Sequence, residues 1–518
     1  MMDHNGAKLA HILAHVRAGA TDRAWRLFLD GGMDARRDDP AALTLHGRLL
    51  KDRARAAAGE QRRLGFAAAA NSYAAAAALA PATYPLINAA TLELLAGHRE
   101  RSRTLAAETI MLLDRTDLAE LETAYFKAAT RAEALLLLED AAAARHWLEV
   151  AYAAAPQAWE DHATTLRQFA EISAALGTSD DWLAHFRPPR SAHFSGTLSV
   201  GDAEAALAAA AGDWFAVEHV GFAYGALAAG TDIIVAEAAV RAGLALHVVL
   251  PGSVAAFRRA CVEPNGTAWG ARFDALIAAA ESVRAIDESV PSTTPALIAL
   301  ADDLAMGLAI ANARRLESEA LQFVADTGTR ATNSDRVWRR WRVTGRRQHR
   351  LPLVPDAGSS VAIPGDSGGP ATGQTIVLAI DFVAPPETAG ARVADALAAW
   401  PPAVRAAWMG STLVVAYDAA SDAVGAATAI ADVLPHPAQW RMGIHAGVDY
   451  RIDDPITGGE SRFGTVAPIA LRIAAAAPAG TIIASDVMAA AAAVLAVHSE
   501  PIGELLGEPP IALFSLRR

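Results

Sequence analysis

The chain has 518 residues, more than one ordinary core organises, so roughly two to four domains are expected. Apolar residues make up 53% of it, much of that alanine, which favours helix at little side-chain entropy cost. A net charge of −12 works against bulk attraction to nucleic acid or anionic membranes, and the single cysteine, Cys261, excludes an internal disulfide framework and a cysteine-based zinc site.

The opening Met-Met-Asp-His-Asn-Gly lacks the basic and apolar regions of a signal peptide, and no apolar run predicts a membrane span, so a cytoplasmic protein is expected. Residues 1–190 read as helix: apolar side chains recur at i, i+3, i+4 and i+7, without strand-like alternation. Phe66–Pro81 running into Tyr84–Gly97, and Leu121–Glu139 running into Ala142–Pro156, have the form of paired helices, with Ala80-Pro81 and Ala155-Pro156 closing them. They resemble tetratricopeptide-type repeats. The resemblance implies an all-α domain with a concave surface for a protein partner; a plain helical bundle is the other reading of the same pattern.

From 191 to 290 the pattern changes. His193-Phe-Ser-Gly196 starts a strand, Val217–Tyr224 reads as a buried strand, and Gly225–Asp232 is a Gly-bearing turn before a helix at Ile233–Ala242. A second apolar strand follows at Ala245–Pro251, and Ser282–Ile286 is a candidate for another. Strand, turn, helix, strand is a βαβ unit of a parallel sheet. Glycines after a strand let backbone approach a phosphate, and the next helix start offers unpaired N–H groups. The spacing is not that of a dinucleotide fingerprint. Gly225–Asp232 together with Ala236–Ala239, Ala242-Gly243 and His247–Pro251 resembles the SLOG superfamily of Rossmann-like, nucleotide-handling domains. The resemblance implies a nucleotide-like ligand at Ser195, Gly196, Gly225, Gly230, Asp232 and Glu237; the competing reading is that the glycines only permit tight packing and Asp232 only caps a helix.

Residues 291–354 read as a helical connector, with helix over Thr294–Ala325 and then an arginine-dense stretch. Arg336, Arg339, Arg340, Arg342, Arg346, Arg347 and Arg350 alternate there with Trp338 and Trp341. This is either an anion-binding surface or a basic hairpin turning at Thr344-Gly345 and paired with acidic faces of the chain. Residues 355–374, rich in Gly, Ser and Pro, read as a linker.

The last segment, 375–518, alternates strands and helices as in an α+β domain. Thr375–Asp381 is a strand ending in a carboxylate; Met409-Gly-Ser-Thr412 turns a hairpin; Trp440-Arg-Met-Gly-Ile-His-Ala-Gly447 is a strand. Asp454-Pro-Ile-Thr-Gly458 and Phe463-Gly464 precede a helix carrying Pro468 and Arg472. These motifs resemble the class III adenylate/guanylate cyclases, whose core is ferredoxin-like. The resemblance places Asp381 at a metal position, Thr465 at a base-reading position and Arg472 at a transition-state position. Three family groups are replaced: the second metal carboxylate by Ser411, an amide by Pro468, and a base-reading lysine by Leu505 or Leu506. Cyclisation needs two divalent cations, Mg or Mn, held by two carboxylates, and a hydroxyl is a poor ligand for a hard cation.

The fold class expected is therefore multidomain: all-α repeat, Rossmann-like parallel sheet, then α+β cyclase-like domain. The favoured function is a nucleotide-sensing signalling protein whose degenerate cyclase domain forms a homodimer or binds nucleotide. An active adenylate cyclase, alone or with an intact partner, and a non-enzymatic scaffold are the alternatives. Metal binding by His436 and His445 is not expected for want of a third ligand. Gly365–Gly369 is not a P-loop, and Cys261 is expected to be a partly buried helix residue whose pKa Arg258 and Arg259 could lower.

Overall fold

The computed structural model describes residues 9, 12–13, 21–115, 123–288, 294–328, 332–354, 372–383, 390–403, 406–434, 439–456, 458–507 and 510–517. The chain divides into two compact units, Met1–Pro188 and Pro189–Arg518. His436, Gly365–Gly369 and most of the expected linker (355–371) lie outside the described residues.

The first unit is helical: α1 (Thr21–Asp30), α2 (Pro40–Ala56), α3 (Gly59–Leu79), α4 (Thr83–Ala96), α5 (Arg99–Leu113), α6 (Ala124–Leu137), α7 (Ala141–Ala154) and α8 (Trp159–Leu176). Local chemistry sets the ends. Asp39 accepts hydrogen bonds from the N–H groups of Ala41 and Ala42, with Pro40 at the first helical position, and Gly97 at φ +94° stops α4 in the left-handed region. From α2 to α7 successive helices pack on each other, and α4, α6 and α8 also meet directly. A polar seam joins these alternate helices. Glu133 of α6 is buried and accepts from the Thr91 hydroxyl of α4 and the Gln168 amide of α8. Beside it the Lys51 ammonium of α2 donates to Asn88 Oδ1 at 2.9 Å. Burial drives both ions toward neutrality, raising Glu133 to about 7 and lowering Lys51 to about 8.

The second unit holds two sheets. The first is six-stranded and wholly parallel: β1 (Arg190–Gly196), β2 (Val220–Gly225), β3 (Ala245–Leu250), β4 (Ser282–Ala285), β5 (Ala320–Asp326) and β6 (Gln348–Pro352), in the order β4-β3-β2-β1-β5-β6. Helices α9 (Glu204–Val217), α10 (Thr231–Arg241), α11 (Thr267–Ala279), α12 (Pro295–Arg315) and α13 (Asn333–Arg342) lie in the crossovers. The second sheet is mixed: β7 (Thr372–Phe382), β8 (Ala407–Met409), β9 (Thr412–Tyr417), β10 (Trp440–Asp453), β11 (Glu460–Phe463), β12 (Ile482–Ser485), β13 (His498–Leu505) and β14 (Ile511–Arg517). Its order is β13-β14-β12-β10-β7-β9-β8, with β11 paired to β10. Helices α14 (Gly390–Ala399), α15 (Ala420–Val433), α16 (Val466–Ala476) and α17 (Asp486–Val494) complete it.

Two expectations are corrected. The helix expected over Thr294–Ala325 ends at Arg315, where Glu317 turns at φ +51°, and Ala320–Asp326 is a fully buried central strand. A short apolar run cannot be told from helix by periodicity alone. The basic stretch is not a hairpin. Thr332 caps α13, accepting from Asp335 N at 3.2 Å, and β6 then joins the parallel sheet beside β5. The parallel sheet thus continues to 352, where a helical connector over 291–354 had been expected, and the end of the expected linker, 372–374, is already strand.

Helix α12 joins the two sheets. Thr294 caps it, accepting from Leu297 N at 3.3 Å, and Pro295 occupies its first turn. It packs on β1, β2, β3 and β5 and also on α17. Leu300, Ala301, Leu304 and Ala305 share a core with Ile376, Leu378, Ile380, Met442 and Ile444 of the mixed sheet. Met306, Ile310 and Ala313 pack with Trp341, Ala493 and Val494. At Gly307 an added Cβ would stand 2.2 Å from the carbonyl oxygen of Ala490. Among the described residues α12 alone is long and apolar enough to cross a membrane, and the window that passes that test is 72% buried in the protein.

This packing carries a prediction of sign. Helix propensity alone makes Gly307→Ala stabilising by about 1 kcal/mol. The close approach to Ala490 reverses the sign, and a loss of about 1–3 kcal/mol is expected in urea unfolding followed by tryptophan fluorescence. A variant as stable as wild type would remove the contact from the account. In the first unit, Glu133 keeps its proton in the fold after the unfolded chain has released it. Its contribution is therefore complete below about pH 4.5 and is lost as pH rises toward 7. The helical unit should lose stability on the order of 3 kcal/mol between pH 4.5 and pH 8, and Glu133→Gln should flatten that slope in circular-dichroism melts.

Candidate functional site

Register brings the residues around Asp381 together. In β7, Asp381 lies opposite Arg441 of β10 on one side and Thr412 of β9 on the other. Asp381 is 9% exposed and its acceptor sites are engaged. Ser411 Oγ donates to Oδ1 at 2.8 Å and Thr412 Oγ1 to the same oxygen at 3.2 Å; Arg441 Nε donates to Oδ2 at 2.7 Å. Burial works to raise the Asp381 pKa, but the three donors and the guanidinium charge outweigh it and hold the carboxyl below its ordinary value. Arg441 is itself anchored, with Nη1 donating to Ala475 O at 2.7 Å. The two sequence-singled positions Asp381 and Ser411 are thus joined by a hydrogen bond. A second carboxylate at 411 would instead repel Asp381 and favour a cation between them.

The other positions lie on and around α16. Thr465 immediately precedes the helix and is exposed, and Pro468 stands in its first turn, where a missing N–H costs nothing. Arg472 Nη2 donates to Leu506 O at 2.7 Å, so the retained arginine and the residue in the lysine position meet. The Leu506 side chain is 85% exposed. Arg472 lies in this pair, separate from the donors around Asp381. Asp449, which sequence reasoning missed, is buried at 3% exposure and accepts from Val466 N at 3.4 Å, fixing the start of α16. His445 is half-buried, shares a hydrogen bond of 2.8 Å between Nδ1 and Ser485 Oγ, and is pushed down to about 4 by desolvation. Among the described residues no three His, Cys, Asp or Glu side chains are grouped to hold a metal.

A second cluster forms at the carboxyl edge of the parallel sheet. The chain leaves β1 toward β2, β3 and β4, then returns to β5 on the other side, so the strand order reverses between β1 and β5. Crevices at such reversals are where ligands bind in open parallel sheets. Ser195, Gly196, Gly225, Gly230 and Asp232 all belong to this edge. The glycines face protein: a Cβ at Gly196 would meet Ala325 O at 2.2 Å, at Gly225 the Phe194 ring at 2.7 Å, and at Gly230 (φ +86°) Leu198 O at 2.2 Å. Asp232 accepts from Ala228 N at 3.3 Å through Oδ2, while its buried Oδ1 has no hydrogen-bond partner among the described residues. Burial, then the charge of Asp302, raises its pKa well above the ordinary value. Asp302 accepts from Asn333 Nδ2 at 2.8 Å and Arg336 Nη2 at 2.9 Å, and Asp303 from Arg336 Nη1 at 3.2 Å. Glu237 is elsewhere, in a two-pronged ion pair with Arg272 at 2.8 Å. Cys261 is buried, and burial with the charge of Asp232 pushes its thiol up to about 12, the reverse of the lowering considered from Arg258 and Arg259. Arg258 is instead spent on Asp274 and Glu263.

Most of the basic stretch is neutralised internally. Arg336 and Arg340 pair with Asp302 and Asp303, Arg339 with Asp335, Arg347 with Glu218 and Glu319, and Arg350 with Asp326.

Residues 2–93 match the family described as Tetratricopeptide Repeats-Sensor. No curated protein matches the chain in sequence. Among solved structures, an adenylate cyclase from Trypanosoma brucei in its monomeric state is 11% identical, with a TM-score of 0.25, over 30% of this chain and 94% of that one. The adenylyl cyclase CyaB from P. aeruginosa is 13% identical, with a TM-score of 0.25, over 29% and 96%. The guanylate cyclase domain of RhGC from Catenaria anguillulae in complex with GTP is 14% identical, with a TM-score of 0.24, over 28% and 98%.

The Asp381 cluster makes a direct prediction. Ser411→Asp removes a donor and adds a like charge, so the variant should lose about 1–2 kcal/mol in metal-free buffer. Millimolar Mn²⁺ should restore much of the loss while leaving wild type unmoved. Thermal melts with and without Mn²⁺ read both effects, and equal responses in the two proteins would contradict the pairing described.

Proposed function

We propose that residues 372–517 form a cyclase-like module that retains the scaffold of a nucleotide-cyclising enzyme without its metal chemistry, and that it serves signalling as a dimerisation or nucleotide-binding element. The observation that carries this reading is the Asp381 carboxylate, whose Oδ1 accepts from Ser411 and Thr412 and whose Oδ2 accepts from Arg441. Cyclisation is an in-line attack of a ribose 3′ hydroxyl on an α-phosphorus, with two divalent cations neutralising the triphosphate. The residues present do not fit such cations: one carboxylate is already compensated by a fixed guanidinium, and the neighbouring position offers a neutral hydroxyl that points at it. Pro468 and Leu506 add no donor to the developing charge or to the base. A symmetric homodimer would repeat the same gaps in both sites.

The parallel sheet is the sensor in this reading. The support is the resemblance to SLOG domains and the convergence of Gly196, Asp232, Asp302 and Arg336 at the point where strand order reverses. The N-terminal helices would contribute the contact with a protein partner, and the location is cytoplasmic.

The test is incubation of the purified full chain with ATP or GTP and Mn²⁺, followed by chromatography for cyclic product. Loss of one preorganised donor costs about 10²–10³-fold in rate, and several are missing, so no product above the protein-free control is expected. Steady formation of cyclic nucleotide by the protein alone would replace this reading with that of an active cyclase.

A further inference from the structure

In the helical unit, α2, α4 and α6 form one layer, joined by the Lys51 to Asn88 and Thr91 to Glu133 hydrogen bonds. The face of that layer is already covered. Helix α8 packs on both α4 and α6, and its Leu166, Phe169 and Ile172 share a core with Ile87 and Leu94 of α4 and Leu136 of α6. Thr165 Oγ1 shares a hydrogen bond of 2.8 Å with Tyr125 Oη of α6, and Gln168 donates to Glu133 of the same helix. The reach of α8 goes further. Glu171 Oε2 accepts from Arg55 Nη2 of α2 at 2.8 Å, across 116 positions of sequence.

A helix that only extended the stack would stop at its nearest neighbours. With 18 residues, α8 is about 27 Å long, enough to cross two axis-to-axis spacings of about 8–10 Å, and it uses that length to meet α6, α4 and α2. Its seat is mixed in character. An apolar stripe of Leu166, Phe169 and Ile172 runs down the buried face. On the same face His162 Nδ1 and Ser173 Oγ are buried without a hydrogen-bond partner among the described residues, which costs free energy. At the far end the Arg55–Glu171 pair stays partly exposed, and such pairs hold weakly. An apolar centre with a polar rim is the make-up of an interface between separable parts, and the unanswered polar groups weaken this one. Helix α8 is also the last α-helix before the unit ends at Pro188, so its departure breaks no connection among α2 to α7.

We propose that α8 is a detachable, autoinhibitory occupant of the face shared by α2, α4 and α6, and that the ligand this face takes is an amphipathic helix. The inference rests on the reading that the N-terminal helices meet a protein partner. The resident helix defines the pattern a partner must present. Apolar side chains stand at i, i+3 and i+6 (Leu166, Phe169, Ile172), an amide at i+2 answers Glu133, and a carboxylate at i+5 answers Arg55. Anchors on successive turns are how a groove reads a helix.

The test uses the full chain and two labelled peptides. One is residues 159–176 of this sequence; the other is an alanine–lysine host helix carrying only the leucine, glutamine, phenylalanine, glutamate and isoleucine at that spacing. In hydrogen exchange the amides of α8 should open together at least about tenfold faster than those of α4 and α6. Gln168→Glu sets a carboxylate against Glu133, and Glu171→Arg sets a guanidinium against Arg55, while the apolar stripe is left intact. The double variant should bind the 159–176 peptide at least about tenfold more tightly than wild type in fluorescence anisotropy, because the resident helix no longer competes. Its circular dichroism should keep the signal of the other helices. Exchange of α8 at the rate of α4 and α6, equal peptide affinity in the two proteins, or collapse of the helical signal in the double variant each overturns the proposal and makes α8 a permanent part of the core; a protein partner would then need another surface. Binding of both peptides supports the detachable helix and its ligand class. Binding of the 159–176 peptide without the host helix supports the detachable helix and removes the protein partner from the proposed function.

Discussion

The second unit depends on one close approach, that of Gly307 in α12 to Ala490 in α17. With no Cβ at 307, the two helices come near enough for backbone to touch side chain and carbonyl. The face of α12 that rests on β1, β2, β3 and β5 then belongs to one core, and Leu300, Leu304 and their neighbours belong to the other. A helix apolar all round is stable in water only when covered all round, and the two sheets supply that cover. The alanines of α17 serve the same end, because a larger side chain at 490 would push the sheets apart as surely as one at 307.

Charge compensation in this protein is local and specific. Asp381 is answered by Arg441, Asp302 and Asp303 by Arg336, Asp326 by Arg350, and Glu237 by Arg272. Each of these carboxylates has a guanidinium of the same chain in reach. Breaking such a pair leaves a buried charge without a partner and is costly, while the intact pair adds little net stability. The pairs thus fix geometry more than they strengthen the fold.

Much of this was legible in the sequence. The strand ending at Asp381, the hairpin at Gly410-Ser411, the Arg441–Gly447 strand and the helix carrying Pro468 and Arg472 all stand where motif and periodicity put them, because each is a local pattern. The βαβ unit at 220–250 was legible for the same reason. What was not legible depended on contacts between distant segments. Arg441 meets Asp381 only through the register of β7 with β10, sixty residues apart in sequence. Asp302 and Asp303 look like solvated charges on a helix until α13 delivers Arg336 to them. Ala320–Asp326 is buried on every side, which suits a central strand and a buried helix equally. The glycines of the parallel sheet suggest room for a phosphate, but that room is filled by Leu198, Thr231, Ala325 and Phe194 of the protein itself.

The dual membership of α12 has a consequence for anyone who would cut this chain into its parts. A division after residue 354 leaves Leu300, Leu304 and Gly307 facing solvent, on a helix greasy enough to be mistaken for a bilayer anchor. Such a fragment would be expected to clump or to cling to chaperones and detergent. The mixed sheet made alone would bare the alanine flank of α17 in the same way, so neither half is a natural unit of expression.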